Sequence, residues 1–288
     1  MNQHDERKKT GLVLEGGAMR GMFSVGVMDV MMEHGIAFDG IVGVSAGAAF
    51  GCNYKSGQPR RALRYNQRFA GDWRMCSFRS LLLTGDLYGA AFAYHYVPDY
   101  EDVFDKAAFA SNPTAFYVVC TDVDSGEPVY KQLTHCDYDC YEWIRASASM
   151  PLASRIVRLE GHALLDGGVT DSIPLKFFQD KGYRRNVVIL TQPEGYMKKP
   201  NRLLPLMRIA LRKHPAFIDA VRRRPAMYNA QTAYVAEQEQ EGDTLVVRPP
   251  YDIPIGYVSH DPNEMQRVYD MGRETVLPMI EKIKEFVG

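Results

Sequence analysis

The chain has 288 residues, 46% of them apolar and 24% charged, enough for one large α/β domain or two small ones with a sizeable core. Its 34 basic and 35 acidic side chains leave a net charge of −1, which excludes the polyelectrolyte signature of a nucleic-acid binder. Met1 to Thr10 has no apolar h-region, and no later run approaches the roughly eighteen uncharged apolar residues a bilayer span needs. A soluble, cytoplasmic protein without a cleaved signal is expected. Five scattered cysteines, an odd number, suit a reducing compartment and are expected as thiols in the core or on surface helices. His135, Cys136 and Cys140 suggest zinc, but a further ligand pair at suitable spacing is missing, so no metal is expected.

In chain order, Gly11 to Glu15 is a short apolar strand, and Arg20 to His34 is a helix with apolar residues almost all round, closed by Gly35. Ile36 to Val44 is the next strand. A right-handed crossover makes the two strands parallel, so the loop after each leaves the same edge of the sheet. Ala46 to Tyr54 and Pro59 to Ala70 read as helices, the second with proline at its start. Ala115 to Val123 and Glu127 to Leu133 alternate as strands about a Ser125-Gly126 turn, and Tyr138 to Ser149 is a helix stopped by Pro151. Arg155 to Leu159 and His162 to Leu165 flank a Glu160-Gly161 turn, and Asn186 to Thr191 is a buried strand.

From about Tyr196 the composition turns basic. Lys198, Lys199, Arg202, Arg208, Arg212, Lys213, Arg222, Arg223 and Arg224 meet one acid, Asp219, and are interleaved with Leu203, Leu204, Leu206, Met207, Ile209 and Leu211. Two readings stand: a solvated helix pair packed on the sheet, or a basic amphipathic face resting on an anionic bilayer at the inner membrane surface. A strand at Thr244 to Arg248 and a helix from Pro262 to Phe286 complete the chain, giving domains at 1–195 and 196–288, the second a basic helical extension packed on the first.

Gly43-Val44-Ser45-Ala46-Gly47 is a GxSxG between a buried strand and a helix, where a tight turn exposes a serine hydroxyl and small neighbours avoid clashes. Gly16-Gly17-Ala18-Met19-Arg20-Gly21 leaves the first strand at the same sheet edge and offers backbone amides to an oxyanion. A dinucleotide fingerprint is the rival for that loop, but the second strand ends in the serine turn and not in an acid. Arg20 reads equally as an anion-attracting or as an exposed helix-start residue. Asp166, followed by Gly167 and Gly168, is delivered by the apolar Ala163-Leu164-Leu165 run, where a partly dry setting raises its basicity.

Taken with the Ala146-Ser147-Ala148-Ser149-Met150-Pro151 block, these motifs in this order make the first 195 residues or so resemble the bacterial patatin-like phospholipases. The resemblance implies a three-layer α/β sandwich with a mostly parallel central sheet flanked by helices. It implies a Ser-Asp dyad without histidine acting on lipid acyl esters, with Ser45 as nucleophile, Asp166 as base, the Gly16 to Gly21 loop as oxyanion hole and no cofactor. Two positions depart from the family pattern: Ala18 stands where glycine is frequent, and Ser172 where asparagine often follows the Asp-Gly-Gly. An α/β-hydrolase triad using His214 or His260 is the nearest rival, although the serine comes early in the chain for that fold. A non-catalytic lipid-binding or regulatory protein is the second rival. Oligomeric state, headgroup and acyl length stay open.

Overall fold

The structure, a computed structural model, describes residues 8–288; most of the Met1 to Thr10 segment, expected to carry no apolar leader, lies outside the described residues. The first unit is the expected βαβ: β1 (Lys9–Leu14), α1 (Gly21–Glu33) and β2 (Gly40–Val44), with β1 and β2 parallel, followed by α2 (Ala46–Lys55). Next come α3 (Arg61–Arg68), α4 (Phe78–Thr84), a π-helix (Phe92–Glu101) and α5 (Lys106–Ser111). Of these four the sequence pattern gives only the first, and Arg60 at φ +62° sets its start two residues past Pro59. The chain continues through β3 (Ala115–Asp122), β4 (Pro128–Leu133), α6 (Tyr138–Ser147), β5 (Val157–Leu159), β6 (His162–Asp166), α7 (Leu175–Asp180) and β7 (Tyr183–Ile189). After it lie α8 (Leu204–Ala210), α9 (Pro215–Glu241), β8 (Thr244–Val247), α10 (Pro262–Val276) and α11 (Ile280–Val287). The last two replace one expected helix. Pro278, in the turn between them, has no amide to continue the helical ladder.

One sheet runs β5-β6-β3-β2-β1-β7-β8, with β4 also paired to β3. The five strands from β3 to β8 along that path are parallel; β4, β5 and β6 pair antiparallel. Alternate residues of the central strands face opposite layers, as the pleat requires. Leu12, Leu14, Ile41 and Ile189 pack in the same core as Phe23 of α1, Phe50 of α2 and Val268 of α10. Val13, Val42, Val44 and Val188 pack with Phe178 of α7 and Tyr228 and Val235 of α9. This is the three-layer sandwich with a mostly parallel sheet that the resemblance implies.

Residues 196–288 join this frame closely. β8 extends the sheet beside β7, and α10 lies on α1 at glycine contacts: a Cβ on Gly26 would sit 2.0 Å from the Tyr269 carbonyl oxygen, and one on Gly272 2.1 Å from that of Phe23. Beside the crossing, Asp29 Oδ2 accepts from the Tyr269 hydroxyl and the Arg60 amide, each at 2.9 Å.

One cysteine expectation is corrected. Cys136 and Cys140 form a disulfide, because the turn capped by Asp137 at the start of α6 brings their Cα atoms to 4.9 Å, and the bond uses both sulfurs that a zinc site would need. Cys52, Cys76 and Cys120 are buried thiols as expected. Among the described residues no helix is long and apolar enough to cross a membrane.

Candidate active site

The site is made where two strands meet head to head along one edge of β3. Because β4 runs along the other edge, β2 and β6 share this one: Val44 pairs with Val119, and Asp166 with the next residue, Cys120. Ser45 follows Val44 directly, so the strand register alone brings Ser45 and Asp166 together. Ser45 lies at φ +56°, ψ −121°, a region that a non-glycine residue occupies only when its surroundings hold it there. Those surroundings are tight. A Cβ on Gly16 would lie 2.8 Å from the Ser45 Cβ, one on Gly43 2.5 Å from the Gly47 oxygen, and one on Gly47 2.4 Å from the Leu14 oxygen.

The Ala146 to Pro151 block acts as scaffold. The Ser147 hydroxyl accepts the Ser45 amide at 2.9 Å and donates to the Val119 carbonyl at 2.6 Å. The Ser149 carbonyl accepts the Asp166 amide at 2.8 Å.

The Gly16 to Gly21 loop lies beside Ser45, with part of its donor set already engaged. Arg20 donates its amide to Gly17 at 3.1 Å, and the Gly21 amide caps the short 3-10 turn Ala18–Arg20. Among the described residues, the amides of Gly17, Ala18 and Met19 have no protein acceptor, nor does that of Ala46 at the start of α2, as is usual for the first donors of a helix. Gly17 backs onto Thr191, and Gly21 onto Ala46 and Phe50. Ala18 takes φ +48°, a backbone that favours glycine.

Asp166 is buried, and burial pushes its carboxyl above the ordinary range against the opposing pull of the Arg224 charge, the Ser45 hydroxyl and the Gly168 amide. Its Oδ1 accepts from Gly168 at 2.8 Å. Gly167 packs on β3, where a Cβ would lie 2.0 Å from the Val119 oxygen. Ser172 does not reach the carboxylate; its hydroxyl donates to the Gly168 carbonyl at 2.7 Å and so braces the loop.

Two cavities meet at Ser45. One is apolar, walled by Phe50, Met75, Val97, Tyr141 and Ile144 among others, and uses the π-helix that the sequence does not signal. The other is polar and holds Glu15, Arg20, Asp166, Lys198 and Arg224. Ala18, Ser45 and Met150 line both. In the polar chamber Glu15 is buried and raised by desolvation, while its carboxylate accepts from the Thr191 amide at 2.6 Å and the Tyr228 hydroxyl at 2.8 Å. The Lys198 ammonium stands 4.1 Å from the centre of the Tyr228 ring, and burial, with Arg224 nearby, lowers its pKa to about 8. Arg20 stacks on Tyr257 at 5.2 Å.

Arg224, grouped by the sequence with a basic surface face, instead turns into this chamber. Arg222 and Arg223 stay outside and pair with Asp219 at 2.6 and 2.8 Å. A helical stripe in the sequence carries this placement: Phe217, Ala220, Val221 and Tyr228 are buried, and Arg224 lies on the same face of α9. The two histidines of the rival triad are held elsewhere. His214 Nδ1 lies 2.8 Å from Asp124 and His260 Nδ1 2.6 Å from the Ala70 oxygen, and no described histidine lines either cavity. Among the described residues no three His, Cys, Asp or Glu side chains are grouped to hold a metal ion.

The sequence matches the patatin-like phospholipase family over residues 12–178, and a domain of unknown function, DUF6363, over residues 214–288. Lysophospholipase nte1 of Aspergillus terreus is 26% identical over 96% of this chain and 18% of its own length. The uncharacterized protein YjjU of Escherichia coli K12 is 33% identical over 67% of this chain and 54% of its own. The chain thus spans about half or less of these relatives. Among solved structures, VipD from Legionella pneumophila aligns over 98% of this chain and 70% of its own, with a TM-score of 0.46 and 12% identity.

Proposed function

The chain belongs to the patatin-like phospholipase family, and from that premise we propose that it is a serine acyl hydrolase that cleaves lipid acyl esters, of phospholipase A or lysophospholipase type, with a Ser45-Asp166 dyad. The observation that carries the reading is the position of Ser45: on a strained turn, at the junction of an apolar and a polar cavity, beside a buried carboxylate and with no described histidine lining either cavity. The apolar cavity suits an acyl chain and the polar one the rest of the lipid.

In this mechanism Ser45 Oγ attacks the ester carbonyl carbon while Asp166 takes its proton. The tetrahedral oxyanion rests on the free amides of the Gly17 to Met19 stretch and of Ala46, donors fixed before the reaction and costing no reorganisation. Collapse breaks the bond to the alcohol, which leaves with the proton from Asp166, and an acyl-Ser45 ester remains. Asp166 then deprotonates a water that attacks this ester and returns the proton to Ser45. The raised affinity of Asp166 for protons makes a lone carboxylate a competent base.

Labelling with a fluorophosphonate and hydrolysis of lysophospholipids test this. Ser45→Ala is expected to abolish both, and Asp166→Asn to slow hydrolysis by about 10²–10⁴-fold. Equal rates for wild type and Ser45→Ala would leave a non-catalytic lipid-binding protein; loss of activity on replacing His214 or His260 would restore the triad.

We further propose that the protein acts at the face of an anionic membrane through α8. Leu203, Leu206 and Ile209 are exposed there among Arg202, Arg208 and Arg212, the pairing of apolar and basic side chains that favours an interfacial helix.

A further inference from the structure

We propose that Arg20, Lys198 and Arg224 form a subsite for the phosphate of the lipid headgroup, so that the enzyme prefers anionic phospholipid or lysophospholipid substrates to neutral acylglycerols. The proposal rests on the reading of Ser45 as nucleophile and adds the substrate class. It also assigns a role to the segment of unknown function, because Arg224, Tyr228 and Tyr257 of the chamber all come from it.

Three observations carry it. First, the chamber sets three cations against two carboxylates, Glu15 and Asp166, and so keeps net positive charge even with both ionised. Second, these cations are unspent. Among the described residues none of the three forms an ion pair within 4 Å, although Arg222 and Arg223 next to Arg224 do, and the Nε atoms of both Arg20 and Arg224 are buried without a hydrogen-bond partner. A buried guanidinium donor left unpaired is costly, and an anion entering the chamber satisfies both. Third, the position is right for a glycerolipid. With the ester carbonyl at Ser45 and the acyl chain in the apolar cavity, the alcohol side of the ester faces the polar chamber, where a glycerol links the reacting oxygen to the phosphate. Lys198, held over Tyr228, faces Arg20 and Arg224 as well as Glu15 and Asp166, so repulsion from the two guanidinium groups is relieved by the same anion.

Substrate selectivity of the full chain tests the idea. Lysophosphatidic acid, lysophosphatidylcholine and monoacylglycerol with one acyl chain are compared by kcat/KM, and the expected order is as named. Lys198→Gln and Arg224→Gln should each reduce the ratio of lysophosphatidic acid to monoacylglycerol turnover about tenfold or more, mainly through KM, the size expected for a lost charge-assisted contact, and Lys198→Arg should restore most of it. Fluorophosphonate labelling of each variant reports whether the site is still assembled. Equal rates on monoacylglycerol and lysophosphatidic acid, or ratios that do not move in variants that still label, would overturn the subsite. Competitive inhibition of monoacylglycerol hydrolysis by inorganic phosphate, with unmoved lipid ratios, would assign the chamber to a free anion and overturn the headgroup. Failure of wild-type Ser45 to label is a different result and strikes the nucleophile reading itself.

Discussion

The Ser147 hydroxyl accepts the backbone amide of Ser45 at 2.9 Å while donating to the Val119 carbonyl at 2.6 Å, so one fully buried side chain ties the Ser45 turn to the strand that also pairs with Asp166. The proposed dyad is therefore positioned from the same strand on both sides. Ser147→Ala leaves the Ser45 amide and one acceptor site of Val119 unpaired in the core, a cost of about 1–3 kcal/mol. The turn then loses a restraint on its strained serine, and small displacements of a reacting group cost up to about 10²-fold in rate. The expected result is a folded protein with a lower Tm and kcat reduced more than KM is raised. Wild-type kcat in a Ser147→Ala protein of lowered Tm would show that the bond serves stability alone.

Ala18 carries a different kind of strain. At φ +48° its methyl group occupies backbone space that suits glycine, at a cost of about 1–2 kcal/mol, partly offset because alanine restricts the unfolded chain more than glycine does. Ala18→Gly should therefore match or exceed wild-type stability by up to about 1 kcal/mol and keep the free amide at that position. Denaturant unfolding and esterase rates check both parts; a loss of more than about 1 kcal/mol would mean that the methyl contact at the mouth of the two cavities outweighs the backbone strain.

How much of this was legible in the sequence depends on whether the information was local. The β1-α1-β2 unit and the small residues around Ser45 follow from short motifs, because a strand, a tight turn and a helix are each specified within a few residues. The approach of Asp166 to Ser45 depends on register between strands 120 residues apart, which the motif order suggests only through family resemblance. The part of the apolar cavity wall that the π-helix supplies was not legible: Phe92–Glu101 has Pro98 inside it, and neither helical nor strand periodicity marks such a segment. Arg224 lay between. Its neighbours Arg222 and Arg223 made it look like part of a surface run, yet the 217, 220, 221, 224 and 228 spacing already put it on the buried side of α9.

Acidity gives a test of the α1-α10 contact that is independent of catalysis. Burial raises the Asp29 carboxyl from 3.8 to about 6, against hydrogen bonds from Tyr269 and the Arg60 amide. A carboxyl whose folded pKa is raised holds its proton more tightly folded than unfolded, so its contribution to stability is present below about pH 4, is lost as pH rises through about 6, and stays lost above. The shift corresponds to about 3 kcal/mol at most. Asp29→Asn removes the titration while keeping an oxygen that accepts from Tyr269 and Arg60. Unfolding free energies measured from pH 4 to 7 should fall for wild type relative to Asp29→Asn across that window; parallel curves would show that Asp29 ionises in the folded state as it does in the unfolded one.

Binding to membranes separates the two halves of the basic segment. On α8 the exposed apolar residues Leu206 and Ile209 stand near Arg208 and Arg212, which form no ion pair among the described residues, whereas on α9 Arg222 and Arg223 share Asp219 and Arg224 is turned inward. Surface ion pairs of this kind contribute little to stability but reduce the charge offered to a bilayer. Replacing Leu206 and Ile209 with serine should therefore weaken cosedimentation with phosphatidylglycerol vesicles more than replacing Arg222 and Arg223 with glutamine. Both variants should keep wild-type rates on a short, monomeric ester, because neither α8 pair nor α9 pair lines a cavity at Ser45. Raising the salt should weaken vesicle binding of the serine variant, which keeps only charge attraction, more than that of the glutamine variant, which keeps the apolar contact, since charge attraction is screened over about 8–10 Å and apolar burial is not. Vesicle binding that is unaffected by the serine pair, at low and high salt alike, would remove α8 as the membrane face.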